Sequence, residues 1–218
     1  MRRPVATAPF KIKVLLHEFG HSEFRMLDVG AGNHSATLTT KWLPRCSYYG
    51  IDRSRAYNND QTDFDAMQNF WEMDLTSLAF DDIPDDFFDA LVMSHVVEHL
   101  RNAHEVIIGL IPKLKLGGLL YIETPDPRSA GMPSMNGTLN FFDDETHVHL
   151  FNLRELYNVI LPAGCTVIRS GRRRDPWRVV LSPSFAIYRR VRTGRFLGGD
   201  FWDLFGFADY VVARRTSK

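Results

Sequence analysis

The chain has 218 residues, 44% apolar and 24% charged, with 26 basic and 26 acidic side chains and no net charge. Balanced charge with 12% aromatics excludes a wholly disordered chain, and the length favours a single domain over 1–218. A membrane span is excluded too, because the most apolar stretch, 106–122, is broken by Pro112, Lys113 and Lys115.

A short amphipathic run, Phe10 to Phe19, predicts the first helix. Arg25 to Val29 is an apolar run stopped by Gly30 and predicts a strand. Ser35 to Trp42 predicts a helix closed by Pro44. Ser47 to Ile51, Asn69 to Met73 and Asp89 to Met93 predict three more strands. His104 to Leu114 carries apolar residues at helical spacing and runs to Gly117-Gly118, a helix stop. Leu119 to Glu123 predicts a strand halted by Pro125. Residues 125–146 are rich in Pro, Gly, Ser and Asn and predict a long loop, of a length that is usually functional. Leu153 to Leu161 predicts a helix, Cys165 to Ser170 a strand, and Ala208 to Arg214 the last strand. Between these last two, 172–207 forms a basic, aromatic insertion, partly helical by pattern. Strands alternating with helices imply an α/β fold: a doubly wound, mostly parallel seven-stranded sheet with helices on both faces.

The segment Leu27-Asp28-Val29-Gly30-Ala31-Gly32 runs a strand into a Gly-x-Gly turn before a helix. Glycines let the backbone turn tightly and approach a ligand. The second strand ends in Asp52, twenty residues after Gly32. In nucleotide-binding sheets an acid there accepts from both ribose hydroxyls. The dinucleotide fingerprint is only partly matched, with Ser35 at the third small position. Asp28 under the turn would repel a pyrophosphate but suits a ligand with a cationic amino group. S-adenosylmethionine has that group, and a sulfonium besides.

At these residues the chain resembles the class I SAM-dependent methyltransferases, the small-molecule enzymes in particular. The matching segments are LDVGAGNHSATL (27–38), YYGIDRS (48–54), EMDLTSL (72–78), FFDALVMSHVVEHL (87–100), LKLGGLLYIETP (114–125) and HVHLFNLRELYNVILPAGC (147–165). The resemblance implies a Rossmann-like fold and S-adenosylmethionine as cofactor. It implies that Asp28, Gly30, Ala31 and Gly32 surround the methionine moiety. Asp52, with Arg53 beside it, would hold the ribose. Asp74 and the Leu75 backbone would meet the adenine, and Ser94 and His95 would line the site near the sulfonium. His34 stands where the family often has glycine, so its side chain is expected to crowd the methionine end or to contact its carboxylate.

His95-Val96-Val97-Glu98-His99 matches the inverted zinc-protease pattern H-x-x-E-H. Such ligands need a helix and a third partner, whereas this segment follows a core strand, so no metal is expected. Glu98 and His99 are expected to bond to loops near the site. His147 and His149 alternate along one segment, which would turn both toward one pocket as candidate general bases. His17, His21 and His104 read as surface residues.

Neutral overall charge hides an asymmetry. Residues 169–218 hold twelve Lys/Arg against four Asp/Glu. A local anion-facing surface is therefore expected, without the global field of a nucleic-acid binder. The insertion's aromatics read as core, in a helix pair that closes the sheet or forms a dimer. A competing reading is recognition of an anionic acceptor, or contact with an anionic membrane surface. Two cysteines and no signal-like N-terminus suggest a reduced, cytoplasmic protein. The function expected is methyl transfer to an O, N or C nucleophile of a small-molecule or glycan/lipid-type acceptor. The alternatives are a non-catalytic SAM-binding module and an NAD-dependent oxidoreductase.

Overall fold

A computed structural model of the chain describes residues 5–217. It contains α1 (Phe10–Phe19), β1 (Phe24–Val29), α2 (Ser35–Trp42), β2 (Cys46–Asp52), α3 (Gln61–Asp65), β3 (Met67–Glu72) and β4 (Phe88–Ser94). There follow α4 (Ala103–Leu110), β5 (Leu114–Pro125), α5 (Leu153–Ile160), β6 (Cys165–Arg172), α6 (Pro176–Thr193), α7 (Trp202–Phe205) and β7 (Ala208–Arg215). One sheet takes all seven strands in the order β3-β2-β1-β4-β5-β7-β6. Strand β7 alone runs against its neighbours. The sheet is thus mostly parallel, as the alternating pattern predicts.

Burial on both faces explains why the central strands read as continuous apolar runs. Successive side chains point to opposite faces. Leu27, Val29, Leu91, Met93, Leu120 and Ile122 join Val106, Ile107, Leu156 and Ile160 from α4 and α5 in one core. Met26, Ala90, Val92, Leu119 and Tyr121 join Ile12, Leu15 and Ala36 from α1 and α2 in the other. Cys46 and Cys165 are buried free thiols, pushed up by burial to about 12 and about 11. Among the described residues, no helix is long and apolar enough to cross a membrane.

Three local readings change. Helix α4 stops at Leu110, four residues early, because Pro112 lacks the N–H a continuing helix needs. Gly117 and Gly118 form a bulge inside β5, where the pairing jumps from Phe88↔Leu114 to Ala90↔Leu119. Ahead of β3, Asp60 and Asp63 cap the short α3, which hydrophobic periodicity did not reveal. A further change is the insertion. It holds one long helix, α6, whose Trp177, Phe185 and Tyr188 are exposed, so these aromatics are not core. The loop before α5 is tied down internally. The Asp143 carboxylate accepts from the Met135, Leu139 and Asn140 N–H groups at 3.0, 2.9 and 2.8 Å.

Candidate active site

The strand order reverses between β1 and β4, and ligands of open α/β sheets bind outside the carboxyl ends at such a point. The first polar side chain there is Asp28, almost fully buried. Its Oδ2 accepts from the Ser35 hydroxyl and, at 2.7 Å, from the Tyr48 hydroxyl, and lies 3.5 Å from Lys11 Nζ. Lys11 and Tyr48 are partners that local sequence does not disclose. Beyond Asp28 the Gly30 and Ala31 N–H groups donate to the Ile51 carbonyl at 2.8 and 2.9 Å, binding the turn to the end of β2. Gly30 has φ +80°, and a Cβ there would meet Val96 Cγ2 at 2.5 Å. A Cβ at Gly32 would meet the Tyr57 ring, with Asp52 Oδ2 at 3.3 Å. The cradle therefore needs glycine at both places, and it brings Gly32 against Asp52.

Asn33 and His34 continue the turn in the left-handed region, with φ 53° and 56°. That conformation favours glycine, which accounts for the family's preference at position 34. The His34 ring turns to α3, where Nδ1 lies 2.6 Å from the buried Asp63 carboxylate.

Asp52 is half-buried at the end of β2. Burial pushes its carboxyl up, against the Ser54 and Arg53 N–H groups that favour the ion. Asp74 follows β3 and caps a short turn, accepting from the Thr76 N–H at 2.9 Å and its hydroxyl at 2.7 Å. These two bonds hold its carboxyl below the usual range. Leu75 beside it is buried, and Arg53 is exposed. The two acids thus occupy consecutive strand ends.

Ser94 ends β4, and His95 follows in the left-handed region at φ 58°. Such backbone costs roughly 1–3 kcal/mol and persists only when well anchored. The anchors are visible. His95 donates its N–H to the Glu123 carbonyl at 2.8 Å, and its ring bridges Glu98 Oε1 and Glu123 Oε1, both at 3.0 Å. Burial alone would lower the imidazole. The bonds to Glu123 and Glu98 outweigh it and push His95 up to about 9. Arg173 reaches the same Glu123 oxygen at 2.8 Å and lies 3.5 Å from Asp203. The Trp202 ring packs on His95 at 4.9 Å. Glu123, Arg173, Trp202 and Asp203 were not read as site residues. The LLYIE strand end marks Glu123, but nothing local marks the others.

The His147 and His149 rings turn to different partners. Their segment is not a regular strand, and the N–H groups of Val148 and His149 both bond to the Glu98 carbonyl. His147 Nδ1 lies 2.6 Å from the Phe141 carbonyl, whereas His149 Nε2 lies 2.7 Å from Glu155. A carbonyl only accepts, so the His147 Nδ1 donates there, and Nε2 lies 3.9 Å from Asp144 Oδ2. Glu98, His99 and His147 bring possible ligand atoms within 4.8 Å of one another, as do His34, Asp60 and Asp63. Glu98 is already committed to His95 and to the Thr124 hydroxyl at 3.3 Å.

At the end of β5, Asp126 takes the Arg128 and Arg172 guanidinium groups. Beside it, burial and the negative Asp126 push the Asp209 carboxyl up to about 7. A raised acid favours folding fully below its unfolded value near 3.8, and that contribution fades as pH rises through about 7. Asp209→Asn is therefore expected to flatten the fall in stability between pH 4 and pH 8. Urea unfolding at pH 5 and pH 8 checks it, and an unchanged difference would contradict the pairing.

A family profile described as a methyltransferase domain matches residues 6–170. No curated protein matches significantly. Among solved structures, a SAM-dependent methyltransferase from Archaeoglobus fulgidus aligns with a TM-score of 0.59 and 18% identity, covering 94% of this chain and 93% of that one. A Haemonchus contortus phosphoethanolamine N-methyltransferase, in complex with phosphomonomethylethanolamine and S-adenosylhomocysteine, aligns with a TM-score of 0.65 and 16% identity, covering 95% and 52%. A Burkholderia thailandensis 1,6-didemethyltoxoflavin N1-methyltransferase gives 0.59 and 14%, covering 97% and 80%. At these identities the likeness is one of fold. The family match, the strand order and the glycine turn agree: the chain belongs to the class I SAM-dependent methyltransferases.

Proposed function

We propose that this enzyme moves the sulfonium methyl of S-adenosylmethionine to an O, N or C nucleophile of a small-molecule acceptor. The observation that carries the reading is one set of strand ends: the Gly30–Gly32 cradle, Asp52 against it, and Asp74 on the next strand. The donor set fits the cofactor. Asp52 is a partly desolvated acceptor for a ribose diol. Asp74 is an acceptor for the adenine amino group, with the Leu75 backbone beside it. Asp28 is an acid for the amino group. Bound there, the cofactor supplies an electrophilic methyl. The chain's share is alignment, which can contribute about 7–11 kcal/mol in favourable cases. The shell of Glu98, Glu123 and Asp203 around His95 and Arg173 has more acids than bases and suits a cationic ligand. His147 Nε2 is the base for an O–H or N–H acceptor.

The test is ligand-dependent stability. S-adenosylhomocysteine at about 100 times its Kd adds roughly 2.7 kcal/mol, a Tm shift of about 5–10 °C for a chain of this size. NAD is expected to give none. A shift with NAD and none with S-adenosylhomocysteine would overturn the reading. Binding without turnover across a broad acceptor panel would leave a non-catalytic module.

A further inference from the structure

Helix α6 presents its apolar side to solvent. At about 100° per residue, Ile187, Val180, Val191, Trp177, Tyr188 and Leu181 fall in one arc of roughly 120°, interrupted only by Ser184. Val191 and Val180 are 79% and 71% exposed, and Trp177, Ile187 and Tyr188 are each 61% exposed. The opposite side meets the protein through the small Ser182 and Ala186, the helix's two buried residues. A contiguous apolar face left in water marks a contact surface.

The charges flanking that face are of one sign. The helix carries Arg178, Arg189, Arg190 and Arg192 and no acid, and Arg195 follows it. On the same wheel Arg192 borders the apolar arc on one side, and on the other Arg190 follows Pro176 and Pro183. Among the described residues Arg189 has a carboxylate partner, Asp200 at 2.9 Å, while Arg190, Arg192 and Arg195 have none. Arg192 instead lies over the Tyr188 ring at 5.8 Å. A helix with an apolar face, an exposed indole and arginines along its borders has the features of one lying in a lipid interface, its guanidinium groups at the headgroups. A second copy of the chain is the other candidate occupant. Symmetric face-to-face pairing would bring together two helices that carry arginines and no acid, whereas an anionic surface complements them.

We propose that α6 docks the enzyme on an anionic lipid bilayer, with the 177–191 face in the interface and Arg190, Arg192 and Arg195 at the headgroups. The docking does not depend on the methyl-transfer reading.

The experiment is co-sedimentation of the full chain with vesicles of phosphatidylcholine containing 30% phosphatidylserine, beside vesicles of phosphatidylcholine alone. Binding is expected on the first and weak on the second, with loss of binding in about 0.5 M salt. Arg190→Gln/Arg192→Gln/Arg195→Gln should weaken the partition about 100-fold. Val180→Asp/Val191→Asp should abolish it with Tm unchanged, since both side chains stand in solvent. Absence of binding to the anionic vesicles would overturn the proposal, as would equal binding to both kinds. Light scattering that shows a dimer dispersed by Val180→Asp/Val191→Asp, with no vesicle binding, would assign the face to a second copy instead.

Discussion

Glu123→Gln is expected to lower the unfolding free energy by about 3–5 kcal/mol, the usual cost of removing one partner from a buried ion pair. The site makes the reason concrete. Glu123 is 2% exposed and receives the His95 ring, the Arg173 guanidinium and the Tyr121 hydroxyl. A neutral amide there keeps the shape but leaves two cationic groups facing each other out of water. Burial would raise the Glu123 carboxyl, yet Arg173 and His95 overcome that and hold it far below the usual range. In the variant His95 should lose much of its elevation, so an NMR titration of the ring gives a second readout. A stability loss with His95 still titrating near 9 would show that Glu123 is not what charges the imidazole.

The sign of the pH dependence follows. The Glu123 contribution is complete above its unfolded value near 4.5 and is lost as pH falls toward its folded one. The His95 contribution is complete below about 6.5 and is lost as pH rises through about 9. Asp209 also favours the acid side. Stability is therefore expected to peak near pH 4–5 and to decline toward pH 9.

The sheet and the cofactor loop were legible because their signals are local. A strand, two glycines and a helix start lie within a few residues, and Asp52 sits at a strand end that the SYYGI pattern marks. The charge network was not legible for the opposite reason. His95 meets Glu123 across 28 positions and Glu123 meets Arg173 across 50. Helix α6 shows a subtler limit. Periodicity reveals that it has two faces but not which one meets the protein. The buried positions are Ser182 and Ala186, which an apolarity rule assigns to solvent, and the bulky residues are outside. Small residues there let the helix backbone come close to its neighbours, and nothing in the run of residues announces that choice.

Asp52→Ala is expected to weaken S-adenosylhomocysteine binding by roughly 3–6 kcal/mol, from two charge-assisted bonds of about 1.5–3 kcal/mol each. That is about 10²- to 10⁴-fold in Kd, measured by calorimetry. The free protein gives an independent check on the cause. Burial raises the Asp52 carboxyl, so its ionised form opposes folding at neutral pH. Alanine removes that opposition, so the variant should melt no lower than the parent while binding far less well. Lost affinity with an unchanged or higher Tm locates the defect in the ligand contact and not in the fold. Adenosine carries the same ribose and should lose the same factor. Asp28→Asn should instead spare adenosine and cost the amino-acid-bearing ligand, because only that ligand has an ammonium for the carboxylate at the end of β1. If Asp52→Ala leaves both affinities unchanged, the ribose is held elsewhere, and the glycine cradle of 30–32 would have to be read with a different acid.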